Sequence, residues 1–264
     1  MKVSAQRSTG RLVGIMLVVV VAGILVARSH YRNVNSSVDP RIQRARELYQ
    51  QYDRYARTGD YYRIFALIDS ISAIYKGTPH YEESFEQGVL LNNRAAALMT
   101  IALYGDSIPE TANPYHDLPG DSVVSMAEKS LREAFILYER WNSRFEGKDE
   151  PGIRNIIEPE FMMGLEDRDP ELAGKYLKNR VKEISEALVE NQRRLSVCHT
   201  NLGLVYRYRE QYPEAVAEYE KAIALWERNL DAENNLNKLL GRPLRKRNFI
   251  QRMFPPEKDI TIKK

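Results

Sequence analysis

Between Arg41 and Leu240 the apolar side chains recur at intervals of three and four residues, and Gly and Pro gather between these runs. A period near 3.6 buries one stripe of a helix, whereas a half-buried strand needs strict alternation, and no alternating stretch is present. The spacing therefore predicts an all-α body, with helices over 41–57, 61–76, 81–104, 121–143, 171–209, 213–228 and 231–240. With 43% hydrophobic and 28% charged residues over 264 positions, the chain can fill a core. Fourteen Gly, twelve Pro and a single Cys exclude collagen-like, low-complexity and disulfide-stapled folds, each of which needs a composition lacking here.

Ahead of this body, Leu12 to Ala27 is a run of sixteen uncharged residues bracketed by Arg11 and Arg28. As a helix rising about 1.5 Å per residue it covers roughly 24 Å of a hydrocarbon layer near 30 Å thick, and snorkelling arginines make up the difference. The expectation is one transmembrane signal-anchor at 12–27, between a short basic tail at 1–11 and a linker at 28–40. A cleaved signal peptide is the rival, since Lys2, Arg7 and Arg11 form a basic leader, but bulky Leu25 spoils a cut after Ala27. Three basic residues on either side leave the positive-inside count tied. A short basic tail favours an N-terminus in the cytoplasm, which puts the body outside the cytoplasm on a bacterial inner membrane.

The net charge of +3 conceals a division. Residues 1–46 hold eight Lys/Arg against one acid and residues 241–264 hold eight against two, so the stretch 47–240 is net −10. An acidic body with basic ends is a poor nucleic-acid binder, because such a binder carries its basic stripe on the folded domain. The basic tail at 241–264, with LRKRNFIQR, could instead rest on anionic lipid if the body faced the cytoplasm.

One spacing of four, three, four occurs three times: Ile64, Ile68, Ile71, Tyr75; Ala127, Leu131, Ala134, Tyr138; and Ala215, Tyr219, Ala222, Trp226. Each set is a single stripe, and its small members let another helix approach closely. The segment NLGLVYRYREQYPEAVAEYEKAIALWER, residues 201–228, resembles a tetratricopeptide repeat, with Leu202, Gly203 and Tyr206 in a first helix and Ala215, Tyr219 and Ala222 in a second. Gly203 and Ala215 make room for the crossing, and Tyr206 and Tyr219 fill the space beside it. Residues 45–79 look like a divergent copy around Tyr55, Gly59, Asp60 and Tyr61, with Ile64 and Tyr52 in place of small residues. Asn93, Ala95 and Leu98 with Ala127, Leu131 and Ala134 make a third.

The resemblance implies a helical-hairpin solenoid over 41–240, with insertions near 105–120 and 144–170 and a closing helix at 231–240. It also implies a concave groove for a protein or peptide partner, lined by Val197, Thr200, Leu204, Arg207 and Tyr208 in the last copy and Asn92, Ala96 and Met99 in the third. The connection at 144–170 contains Ile156, Ile157, Phe161, Met162 and Met163, too apolar for a free linker, and is expected to fold back on the body. Leu177, Val181, Ile184, Leu188, Asn191, Leu195, Cys198 and Leu202 form a seam of coiled-coil spacing. Packing on 121–143 in the same chain explains this seam better than self-association does, since antiparallel bundle helices use the same geometry.

No phosphate-binding, zinc-protease or serine-nucleophile motif is present, and four histidines are scattered along the chain. Neither a metal nor a cofactor is therefore expected, and the reading is non-enzymatic. Cys198 and His199 are neighbours on a helix, point about 100° apart, and do not face each other. Asp167-x-Asp169-x-Glu171 lacks the Gly and distal Glu of a calcium loop and suits the start of a helix. The rival class is an enzyme or small-ligand receptor with a pocket built by the two insertions around Tyr115, His116 and Glu160.

Overall fold

A computed structural model describes residues 38–246. Those residues form eight α-helices and no strand: α1 Gln43–Thr58, α2 Tyr61–Lys76, α3 Phe85–Tyr104, α4 Gly120–Phe145, α5 Glu150–Phe161, α6 Pro170–Tyr208, α7 Tyr212–Leu225 and α8 Leu230–Leu239. The apolar run Leu12–Ala27 lies outside the described residues, among which no helix is long and apolar enough to cross a membrane.

Local chemistry sets the helix boundaries. Gly59 ends α1 at φ +67°, a conformation that costs glycine no side-chain clash, and Asp60 then caps α2 by accepting from the Arg63 amide at 3.2 Å. Asp169 accepts from the amides of Glu171 (2.8 Å) and Leu172 (3.3 Å), so the acidic run before α6 is a helix cap. α5 is the helix that the periodicity misses, because Pro151, Gly152 and Pro159 read as breakers. Pro151 stands in the first turn, where an amide has no partner to lose, and Asp149 caps the start by accepting from Gly152 at 2.9 Å. Ile153, Ile157 and Phe161, four apart, are then fully buried and hold α5 against α6.

Packing follows chain order: α1 lies on α2, α3 on α4, α6 on α7, and α7 on α8. One continuous core runs from Ile42 to Val205, and a smaller cluster of Ala215, Tyr219 and Leu236 joins α7 to α8. The tightest crossings use glycine. A Cβ on Gly203 would sit 2.5 Å from Tyr219, and one on Gly88 would sit 2.6 Å from Tyr138, so both rings lie directly over a bare backbone.

The long seam of α6 is spent inside the chain. Asn191 is buried and donates to the Asn142 side chain of α4 at 3.1 Å, while Leu188 and Leu195 pack on the core. Cys198 is fully buried in the same seam, and burial pushes its thiol up to about 12, so it is an inert packing residue.

Candidate docking surface

Four helices are tied side by side by polar links between their side chains. Asn93 of α3 donates to the Tyr49 hydroxyl of α1 at 3.1 Å, and Asn201 of α6 donates to Asn92 of α3 at 2.9 Å. Arg207 of α6 reaches Asn235 of α8 at 3.5 Å. Val197, Asn201, Leu204 and Tyr208 step by four, three and four, which places them on one face of α6. Beyond α3 the strip ends on α1, where Tyr49, 40% exposed, lies parallel to Tyr52 with ring centres 5.9 Å apart and planes 7° apart.

Of the groove residues that the sequence names, Asn92, Ala96, Val197 and Leu204 are half-buried along this strip. Two require correction. Met99 is buried in the main core, and Thr200 is buried because Asn229, in the turn before α8, donates to its hydroxyl at 2.8 Å and to Ser196 at 2.8 Å. The closing helix thus covers the middle of α6 and removes Thr200 from the open surface. Arg207 and Tyr208 are half-buried rather than outward, since Tyr208 packs on the core and its hydroxyl sits over Gly120, the first residue of α4. Asn93, Asn201 and Tyr49 belong to the strip although the groove positions of the repeat pattern do not include them. Their signal is a cluster of amides at corresponding heights of successive helices, visible only once the helices are aligned.

A second polar cluster, at the other end of the long helix, escapes the sequence reading altogether. Arg180 is 1% exposed and donates to both Glu86 oxygens (2.5 and 3.1 Å), to Glu183 (3.3 Å) and to His80 Nε2 (3.2 Å). Its guanidinium lies over the Tyr81 ring at 4.3 Å. Burial alone would lower the Arg180 pKa, but Glu86 more than offsets this and raises it, while Arg180 in turn holds the Glu86 carboxyl below its ordinary value. His80 is pulled down to about 2 by burial first and then by Arg180, Arg144 and Arg41. The ring is therefore neutral, and its 3.8 Å approach to Glu160 is not an ion pair. Arg41 pairs with Asp39 and donates to the Phe161 carbonyl at 2.9 Å and to that of Met163, pinning the end of α5. With its guanidinium directed entirely at protein partners, this cluster is a structural lock rather than a reactive centre. The clue in the sequence is a lone Arg beside the apolar stripe of Leu177, Val181 and Ile184.

His199 contacts Glu218 at 2.5 Å, and Lys221 donates to the same carboxylate at 2.6 Å, so the histidine beside Cys198 is engaged elsewhere. Glu160 pairs with Arg144 at 3.0 Å, whereas Tyr115 packs edge-on against Phe65 and His116 lies 2.9 Å from Asp117. The two insertions thus commit their polar residues to different neighbours. A shallow cleft of about 260 Å3 is lined by Glu150, Lys175, Lys178, Asn179 and Lys182, and takes none of these three. Among the described residues no group of three or more His, Cys, Asp or Glu is placed to hold a metal ion. No protein-family model and no curated protein matches the sequence.

Proposed function

We propose that the chain is a non-enzymatic, membrane-anchored scaffold of tetratricopeptide-repeat type that docks a protein or peptide along the strip of α1, α3, α6 and α8. The observation that carries this reading is the row of links Tyr49–Asn93, Asn92–Asn201 and Arg207–Asn235, which sets amides, a tyrosine face and aliphatic side chains in one line. Such a line suits an extended peptide, whose backbone pairs with amides and whose apolar side chains lie on aromatic rings. The solenoid reading draws support from helices packing in chain order and from the glycine-under-tyrosine crossing at Gly203 and at Gly88. Attachment at 12–27 and a body outside the cytoplasm of a bacterial inner membrane rest on the uncharged run and the basic tail ahead of it.

Crosslinking in intact membranes, followed by pull-down of the full chain, tests the reading. Tyr49→Ala with Asn93→Ala removes one end of the strip at partly exposed positions, so helical content should hold. Partner recovery should fall by about tenfold or more, as expected when an interface anchor is lost. Unchanged recovery with unchanged helicity refutes the strip as the docking surface.

A further inference from the structure

The last described residues already show an extended backbone held by α8. After Gly241 turns the chain at φ +64°, the Arg242 amide donates to the Asn237 carbonyl at 2.8 Å, so the segment runs back along α8. Asn234 then grips Arg245 on both sides, accepting from its amide at 2.8 Å and donating to its carbonyl at 3.1 Å. Arg245 adds an ion pair with Glu233 at 2.9 Å. A side-chain amide pairing with both backbone groups of one residue reads no side chain. It is the contact by which asparagine holds any extended peptide.

The sequence beyond this clamp matches what the strip offers. Asp231 lies one turn before Asn234 on the same face of α8, and the first residue past the described chain is Arg247. Farther along come Phe249, Ile250, Met253 and Phe254, followed by Pro255 and Pro256. From α8 through α6 and α3 to α1 is three helix spacings, or about 24–30 Å. Nine extended residues, from Arg245 to Phe254, reach about 30 Å. That brings Phe254, Pro255 and Pro256 to the parallel pair Tyr49 and Tyr52, a flat aromatic surface of the kind on which proline-rich segments lie.

We propose that residues 247–264 of this chain are the resident occupant of the strip, laid across α6 and α3 from the Asn234 clamp to Tyr49, and that a partner must displace them. This rests on the strip being the docking surface.

The test uses the full chain in nanodiscs, with Phe254→benzoylphenylalanine as a photo-crosslinker and the adducts located by mass spectrometry. Intramolecular adducts on α1 or α3, near Tyr49 and Asn93, are expected. Asn234→Ala with Glu233→Ala should lower their yield by about tenfold, the loss of a charge-assisted anchor. Adducts to lipid, to a second copy, or to the body away from the strip overturn the proposal, as does a yield indifferent to the clamp substitutions. If the adducts fall elsewhere while Tyr49→Ala with Asn93→Ala still lowers partner recovery, the tail proposal fails and the docking strip stands. Adducts at Tyr49 with partner recovery indifferent to those substitutions would leave the tail in place and remove the docking function.

Discussion

Gly203→Ala is the sharpest probe of the crossing between α6 and α7. The added Cβ would lie 2.5, 2.7 and 3.0 Å from Cε1, Cδ1 and Cζ of Tyr219. Ordinary carbon contacts begin near 3.5 Å, so the ring would have to retreat by about 1 Å. It has nowhere to go, because Tyr219 is fully buried and so are Ala215 and Ala222 on its own stripe. Overpacking of this kind costs about 1–3 kcal/mol, against a helix-propensity gain of about 1 kcal/mol for replacing Gly by Ala. The expected net change is a loss of about 1–2 kcal/mol. Gly174→Ala, in the same helix, is the internal control, since a Cβ there meets nothing within 4 Å. It should gain up to about 1 kcal/mol, so the two variants differ in sign. Urea unfolding of the full chain in detergent, followed by helical ellipticity, measures both. A Gly203→Ala protein as stable as Gly174→Ala would mean that the tyrosine does not sit on the glycine and that the close crossing is absent.

Arg180→Ala leaves Glu86 without its main partner and should cost about 3–5 kcal/mol, seen as a large drop in the unfolding midpoint; a shift under about 0.5 kcal/mol would show that the cluster is solvated. His80 is neutral in the fold but titrates near 6.5 when unfolded, so below that pH the unfolded chain takes up a proton that the folded chain refuses. Stability should be full above pH 6.5 and fall towards pH 2, by up to about 2 kcal/mol between pH 6.5 and 5, and His80→Asn, tolerated at φ +74°, should flatten that slope. Glu86, held below its ordinary 4.5, adds to the loss only as the pH approaches that value, so a decline beginning there and unaffected by His80→Asn would assign acid sensitivity to the carboxylate alone. Carbonate washing should leave the chain in the membrane fraction if 12–27 is an uncleaved anchor, and a soluble product starting near residue 23 or 28 would refute it.

Residues 61–76 form a helix in both the sequence reading and the structure, and α6 differs by one residue at each end. Periodicity and capping are local, so they survive any tertiary arrangement; the same holds for Asp60 and Asp169 as caps. Gly203 against Tyr219 was legible for a related reason, because a repeat pattern encodes its own crossing. α5 was not, since Pro and Gly were weighed as breakers without knowing that Ile153, Ile157 and Phe161 had a hydrophobic face waiting for them. The exposure of Thr200 and Met99 was misjudged because a pattern of helix positions does not say which neighbour covers them. What tertiary structure alone decided are the long-range polar pairings: Arg180 with Glu86, 94 residues apart, and Asn92 with Asn201, 109 apart. Each depends on the axial offset between packed helices, and a displacement of one turn, about 5.4 Å, would leave the apolar stripes matched and break every one of these bonds.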